Sequence, residues 1–78
     1  MTLAPTATDR QAYRAEVLAC AAASTVGPEE CVRLHLDQAT GKALRTARRE
    51  GEGSTAHREA VEQFKGALLA LNDVRGRR

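Results

Sequence analysis

The stretch CAAASTVGPEEC, residues 20–31, decides the fold that we predict for this chain. Gly27 followed by Pro28 is a helix stop and restart signal, because glycine closes one helix and proline suits the first turn of the next. Two helices that fold back around this turn bring residues equally distant from it opposite each other. The stretch therefore predicts a helical hairpin in which Val17 faces Leu34.

The only two cysteines of the chain, Cys20 and Cys31, lie opposite each other in this hairpin. A disulfide or a shared thiol site across the hairpin is geometrically reasonable, and a disulfide there would contribute about 2–3 kcal/mol. Over this one turn the pair resembles half of the twin cysteine pairs of the mitochondrial coiled-coil–helix–coiled-coil–helix proteins. The spacing differs and the second pair is missing, so the sequence assigns no family.

Length and composition predict a thin hydrophobic core. The chain has 78 residues, of which 42% are apolar, but alanine supplies much of that share and the only aromatic residues are Tyr13 and Phe64. A single core in so short a chain is close to the lower limit of independent stability. We therefore expect added stabilisation from a disulfide, a metal or a partner surface.

Hydrophobic periodicity predicts an all-α fold, a small three-helix bundle built on the hairpin, in a single domain. The predicted segments are an extended arm over 1–8, helix one over 9–25, helix two over 28–49, a glycine hinge over 50–54, helix three over 55–74 and a basic tail over 75–78. Thr8 and Ser54 are the expected N-caps of helices one and three.

Helix three has the clearest amphipathic stripe. We predict that it binds a partner through four apolar residues at helical spacing, Val61, Phe64, Leu68 and Leu71. On helix two, Leu34 and Leu44 lie beside the main apolar ridge and are expected to widen it.

Two glycines lie inside predicted helices, and each costs about 1 kcal/mol relative to alanine. In one interpretation, Gly41 and Gly66 permit a close crossing of two helices or the docking of a partner helix. In the other, both are surface glycines that the helices tolerate. The sequence leaves both interpretations open.

Basic residues form a cluster although the net charge is only +2. A phosphate-binding group is conceivable at Lys42, Arg45, Arg48 and Arg49, joined by the tail residues Arg75, Arg77 and Arg78. The simpler interpretation is a solvated helix face, which we favour because Tyr13 and Phe64 fall on core stripes and leave no aromatic residue to stack on bases.

Two cysteines and two histidines are the candidate metal ligands and nucleophiles of the chain. Cys20, Cys31, His35 and His57 do not have the spacing of a zinc finger. A Cys–His nucleophile pair lacks a third group that would orient the base. We therefore predict no catalytic residue, no metal and no cofactor.

Three functions remain as hypotheses, and we do not expect the protein to be an enzyme. The preferred one is a non-catalytic interaction or accessory subunit that binds other protein subunits through its apolar helix faces. The alternatives are a small nucleic-acid or ribonucleoprotein-binding module that uses the Arg clusters, and a thiol redox or zinc protein that uses Cys20, Cys31 and His35. We expect no small-molecule substrate. We also expect no secretory signal and no membrane span, and thus a soluble protein; the sequence does not assign its cellular compartment.

Overall fold

The computed structural model describes residues 6–76, which form three α-helices. These are α1 (Arg10–Ala23), α2 (Pro28–Glu50) and α3 (Thr55–Gly76). All three pack against one another, with the most extensive contact between α2 and α3 and the smallest between α1 and α2. The predicted all-α three-helix fold is confirmed. Residues 1–5 of the predicted arm and residues 77–78 of the basic tail lie outside the described residues.

The ends of α1 differ from the prediction. Asp9, not Thr8, is the N-cap, because its carboxylate accepts a hydrogen bond from the backbone N–H of Ala12 at 3.1 Å. The helix ends at Ala23 because Ser24 is extended, and its side-chain oxygen accepts a hydrogen bond from the backbone N–H of Val26. Local side-chain bonds of this kind compete with helix continuation.

The connector between α2 and α3 follows the sequence signals. Gly51 and Gly53 have φ values of 88° and 84°, in the left-handed region that glycine enters without steric cost. Ser54 then accepts a hydrogen bond from the backbone N–H of His57 at 3.2 Å. The predicted cap of α3 is confirmed.

Small side chains make up half of the core. Among the ten buried apolar residues in the described part of the chain, five are alanine. The main cluster is Tyr13, Val17, Ala21, Cys31, Val32, Ala67, Ala70 and Leu71. Such side chains cannot reach far, so the helix backbones must approach closely.

The predicted pairing of Val17 with Leu34 is wrong. Val17 is completely buried, whereas Leu34 is 55% exposed. Val32 shares the core cluster with Val17 instead, and two residues correspond to about 200° of rotation around a helix, which turns Leu34 away. Leu44 is 60% exposed, so neither leucine widens the core-facing side of α2.

The close helix crossing is at Gly66, between α3 and α1. A Cβ atom at this position would lie 2.6 Å from the backbone carbonyl oxygen of Arg10 and 3.2 Å from the backbone nitrogen of Arg14. At Gly41, the only atoms that a Cβ would meet within 4 Å belong to the side chain of Arg45 in the same helix. The crossing interpretation therefore holds for Gly66, while Gly41 approaches no other helix in the described residues.

Two ion pairs join α1 to α3 around this crossing. The guanidinium of Arg10 donates two hydrogen bonds to the Glu62 carboxylate at 3.2 and 3.1 Å. That of Arg14 donates two to the Asp73 carboxylate, both at 2.6 Å. The hydrogen bond from Arg10 lowers the pKa of Glu62. Paired bonds of this geometry set the orientation of α1 on α3.

None of the helices within residues 6–76 is long and apolar enough to cross a lipid bilayer.

We predict opposite effects of alanine at the two glycines. Gly66→Ala should lower the free energy of unfolding by about 1–2 kcal/mol, because the added methyl overlaps the α1 backbone. Gly41→Ala is the matched control: its methyl meets only a flexible side chain, so it should raise that free energy by up to about 1 kcal/mol. Urea unfolding followed by circular dichroism measures both, and equal effects would contradict the crossing.

Candidate functional site

Helix α3 buries mostly small residues and leaves several larger apolar ones partly exposed. Its buried residues are Ala60, Gln63, Gly66, Ala67, Ala70 and Leu71. Phe64 and Leu68 each lie two residues from Gly66, about 200° around the helix from the side that meets α1. Leu68 is 41% exposed, while Phe64 and Val61 are half-buried. We name Val61, Phe64 and Leu68 the apolar edge.

Leu71, the fourth residue predicted to bind a partner, has a different place. It is only 5% exposed and belongs to the core cluster. It therefore supports the apolar edge from within and offers no surface of its own.

The apolar edge runs beside α2. His57, at the start of α3, places Nδ1 3.1 Å from the Ala43 carbonyl oxygen and 3.4 Å from the Thr46 hydroxyl oxygen. Val61, Phe64 and Leu68 follow His57 at spacings of four, three and four residues, which keeps all four on one side of the helix. The apolar edge thus continues the line along which α3 meets α2.

Three other large apolar side chains are exposed within the described residues, Val26, Leu34 and Leu44. Isolated exposed apolar residues are normal on protein surfaces, whereas contiguous ones indicate an interaction site. Val61, Phe64 and Leu68 follow one another at about one helical turn on the same side of α3, which makes them neighbours.

The two cysteines are both thiols in the structure, Cys31 buried and Cys20 half-buried. Burial raises the pKa of the Cys20 thiol, and the nearby Cys31 and Glu16 raise it further. The two thiols are therefore close enough to influence each other across the α1–α2 turn. The predicted disulfide stays a prediction, and a raised pKa makes Cys20 a slow nucleophile at neutral pH.

His35 points a ring nitrogen into the protein. Its Nδ1 is buried and has no hydrogen-bond partner among residues 6–76, and burial lowers the pKa of the ring. In the same described part of the chain, no three His, Cys, Asp or Glu side chains are grouped so that they could hold a metal ion. Cys20, Cys31 and His35 are thus not brought together as a ligand set.

The basic residues separate into different environments. Lys42 donates a hydrogen bond to Gln63 Oε1 at 3.1 Å. Lys42 and Arg45 both line a cavity between the three helices. Arg48 and Arg49 are exposed in the last turn of α2. In the tail, Arg75 lies 3.7 Å from a Glu29 carboxylate oxygen, and Arg77 and Arg78 are outside the described residues.

Sequence reasoning missed Gln63, which is only 5% exposed. Its Nε2 donates to the Ala7 carbonyl oxygen at 3.0 Å, while its Oε1 accepts from Lys42. A single glutamine beside an apolar stripe is ordinarily exposed, so its sequence position gave no signal of burial.

The chain matches no protein-family model, no curated protein and no solved structure. Its own residues and their geometry are therefore the basis for a function.

We predict that His35 makes the protein less stable below neutral pH. Its pKa in the folded protein is below the ordinary value of 6.5, so the unfolded chain takes up a proton first as the pH falls through that value. The stability contributed by neutral His35 is therefore fully present above about pH 6.5, and it is lost progressively as the pH falls below that value. Urea unfolding at pH 7.5 and 5.5 measures the difference, which His35→Gln should reduce. An undiminished difference in the variant would show that other groups cause it.

For the cysteine pair, we predict that oxidised glutathione converts the two thiols into an intramolecular disulfide and yields two molecules of reduced glutathione. Mass spectrometry should show the loss of two hydrogen atoms, and thermal unfolding should move to higher temperature. Cys20→Ser should show neither change. A glutathione adduct without ring closure would mean that the thiols cannot meet.

Proposed function

We propose that this protein is a non-catalytic interaction subunit of a larger protein assembly, and that it binds its partner through the apolar edge. The observation that supports this most directly is the orientation of α3, which buries mostly small residues but leaves Phe64 half-buried and Leu68 exposed. Complete burial of a Leu or Phe side chain contributes about 1.5–3 kcal/mol. The chain by itself does not gain the full contribution at Leu68, and a bound partner would supply it.

The spacing of the apolar edge favours a helical partner. Val61, Phe64 and Leu68 repeat at intervals of three and four residues, the pattern through which one amphipathic helix meets another. An incoming helix could lie along α3 on the side away from α1, beside α2. It would cover the half-buried rings and methyl groups without displacing any of the three helices.

The thin core supports the same proposal. Half of the buried apolar residues in the described part are alanine, and small domains with little bulk in the core are commonly stabilised by association. Binding adds to stability in proportion to the logarithm of the partner concentration over its dissociation constant. The nucleic-acid and thiol hypotheses stay predictions beside this one.

A matched pair of leucine variants tests the proposal. Leu68→Gln should remove partner binding, while the free energy of unfolding changes by about 0.5 kcal/mol or less because the side chain is partly exposed. Leu34→Gln makes the same chemical change at a residue that is 55% exposed on α2, and it should keep the partner. The measurement is affinity capture of the full chain from source cells, after nuclease treatment, with quantitative mass spectrometry.

Three outcomes of this experiment would contradict the proposal. Leu68→Gln could retain every protein that the unmodified chain captures. The two variants could lose captured protein equally. Nuclease could remove the captured material, which would instead favour the nucleic-acid hypothesis.

A further inference from the structure

A cavity of about 310 Å³ opens where the three helices meet near the middle of α2. Its lining is Tyr13 from α1, Gln38, Ala39, Lys42 and Arg45 from α2, and Gln63 from α3. This volume is at the small end of the range for ligand sites. We name it the Tyr13 cavity.

Two cationic side chains of the Tyr13 cavity have no carboxylate partner within residues 6–76. Lys42 donates to the neutral amide of Gln63, and Arg45 is in no ion pair of the described residues. Arg10 and Arg14, by contrast, each bind a carboxylate through two hydrogen bonds. The cavity thus has two positive charges that form no ion pair with a carboxylate of residues 6–76.

Tyr13 supplies a neutral donor from the interior. The residue is only 4% exposed and lines the cavity, and its phenolic O–H can donate a hydrogen bond. Burial raises the pKa of Tyr13, as does the charge of Glu16, so the phenol keeps its proton at neutral pH. Glu16 is the nearby acidic group, and its carboxylate accepts the Ala7 backbone N–H at 2.7 Å.

Gln63 holds this arrangement in place. Its side chain is fixed between the Ala7 carbonyl and the Lys42 ammonium. Because Gln63 is 5% exposed, it anchors Lys42 from inside the protein. The lysine is therefore partly positioned before any ligand arrives.

We propose that the Tyr13 cavity binds the phosphate group of a small phosphate monoester, with Lys42, Arg45 and Tyr13 as donors. A phosphate monoester carries nearly two negative charges at neutral pH, which matches the two cations, whereas a carboxylate would neutralise only one. The guanidinium of Arg45 can bind two phosphate oxygens at once. The remaining volume accommodates a small organic group.

The Tyr13 cavity differs from the basic cluster predicted from the sequence. Lys42 and Arg45 line it, while Arg48 and Arg49 do not. A nucleic-acid strand is held by cations spread along a groove and by exposed aromatic rings, and Tyr13 is too deeply buried to stack on a base. The geometry thus points to a small ligand, which the sequence had not predicted.

Nuclear magnetic resonance of the full ¹⁵N-labelled chain tests the proposal. The probes are inorganic phosphate and glycerol 3-phosphate, each compared with sodium chloride at equal ionic strength. Phosphate-specific shifts should concentrate at the Gln63 side-chain amide, the Arg45 Nε–H and the backbone around residue 13. The monoester should bind more tightly than inorganic phosphate.

Two variants remove a proposed donor each, and a third variant is the control. Arg45→Gln should weaken monoester binding about tenfold or more, and Tyr13→Phe about fivefold, as the loss of a charged or a neutral hydrogen bond predicts. Arg48→Gln is the matched control, since it removes the same charge from the same helix outside the cavity, and it should change binding less than about twofold. Arg45 is exposed, so its variant decides the test even if Tyr13→Phe fails to fold.

The proposal is overturned if phosphate shifts the same resonances as chloride does. It is also overturned if Arg48→Gln weakens monoester binding as much as Arg45→Gln does, because binding would then depend on the overall positive charge of α2 and not on the cavity. Binding of an oligonucleotide in place of the monoester, unaffected by Tyr13→Phe, would assign the basic residues to a nucleic acid.

Discussion

The backbone contact between α1 and α3 at Gly66 is the constraint on which the rest of this structure depends. Because residue 66 has no side chain, the carbonyl oxygen of Arg10 can lie 2.6 Å from the position that a Cβ would take, which is too close for any other residue. Only at this separation can a core rich in alanine be filled, since alanine reaches little beyond its own backbone. The ion pairs of Arg10 with Glu62 and Arg14 with Asp73 then hold α1 in one orientation.

Both proposed sites follow from how α1 is placed. With α1 on the Gly66 side of α3, Phe64 and Leu68 remain on the opposite side and form most of the apolar edge. The same placement brings Tyr13 into the lining of the Tyr13 cavity together with Lys42 and Gln63. A protein partner on the apolar edge would contact α2 and α3, whereas a ligand in the cavity would contact all three helices. The two proposals therefore stand or fall separately.

Stability and binding are linked in a protein with so little bulk in its core. A ligand that binds only the folded chain stabilises it by mass action, and a ligand bound by residues of α1, α2 and α3 would oppose separation of any one helix. The predicted pH dependence has a different origin, because burial lowers the pKa of His35, whose Nδ1 has no hydrogen-bond partner among residues 6–76. These effects can be measured independently on the same chain.

The sequence by itself determined the number of helices and the positions of their breaks. Pro28 and the connector from Gly51 to Ser54 act through local backbone preferences and caps, which need no distant contact. Gly27, predicted to close α1, is instead the N-cap of α2, because α1 already ends at Ala23. Only the tertiary structure decided how each helix is rotated about its axis. The apolar spacing of α3 placed Leu71 with Phe64 and Leu68 on one binding stripe, but the helix rotation set by the backbone approach at Gly66 buries Leu71 and leaves Leu68 41% exposed. The Tyr13 cavity depends on that choice too, because it joins residues of three helices that no local pattern relates.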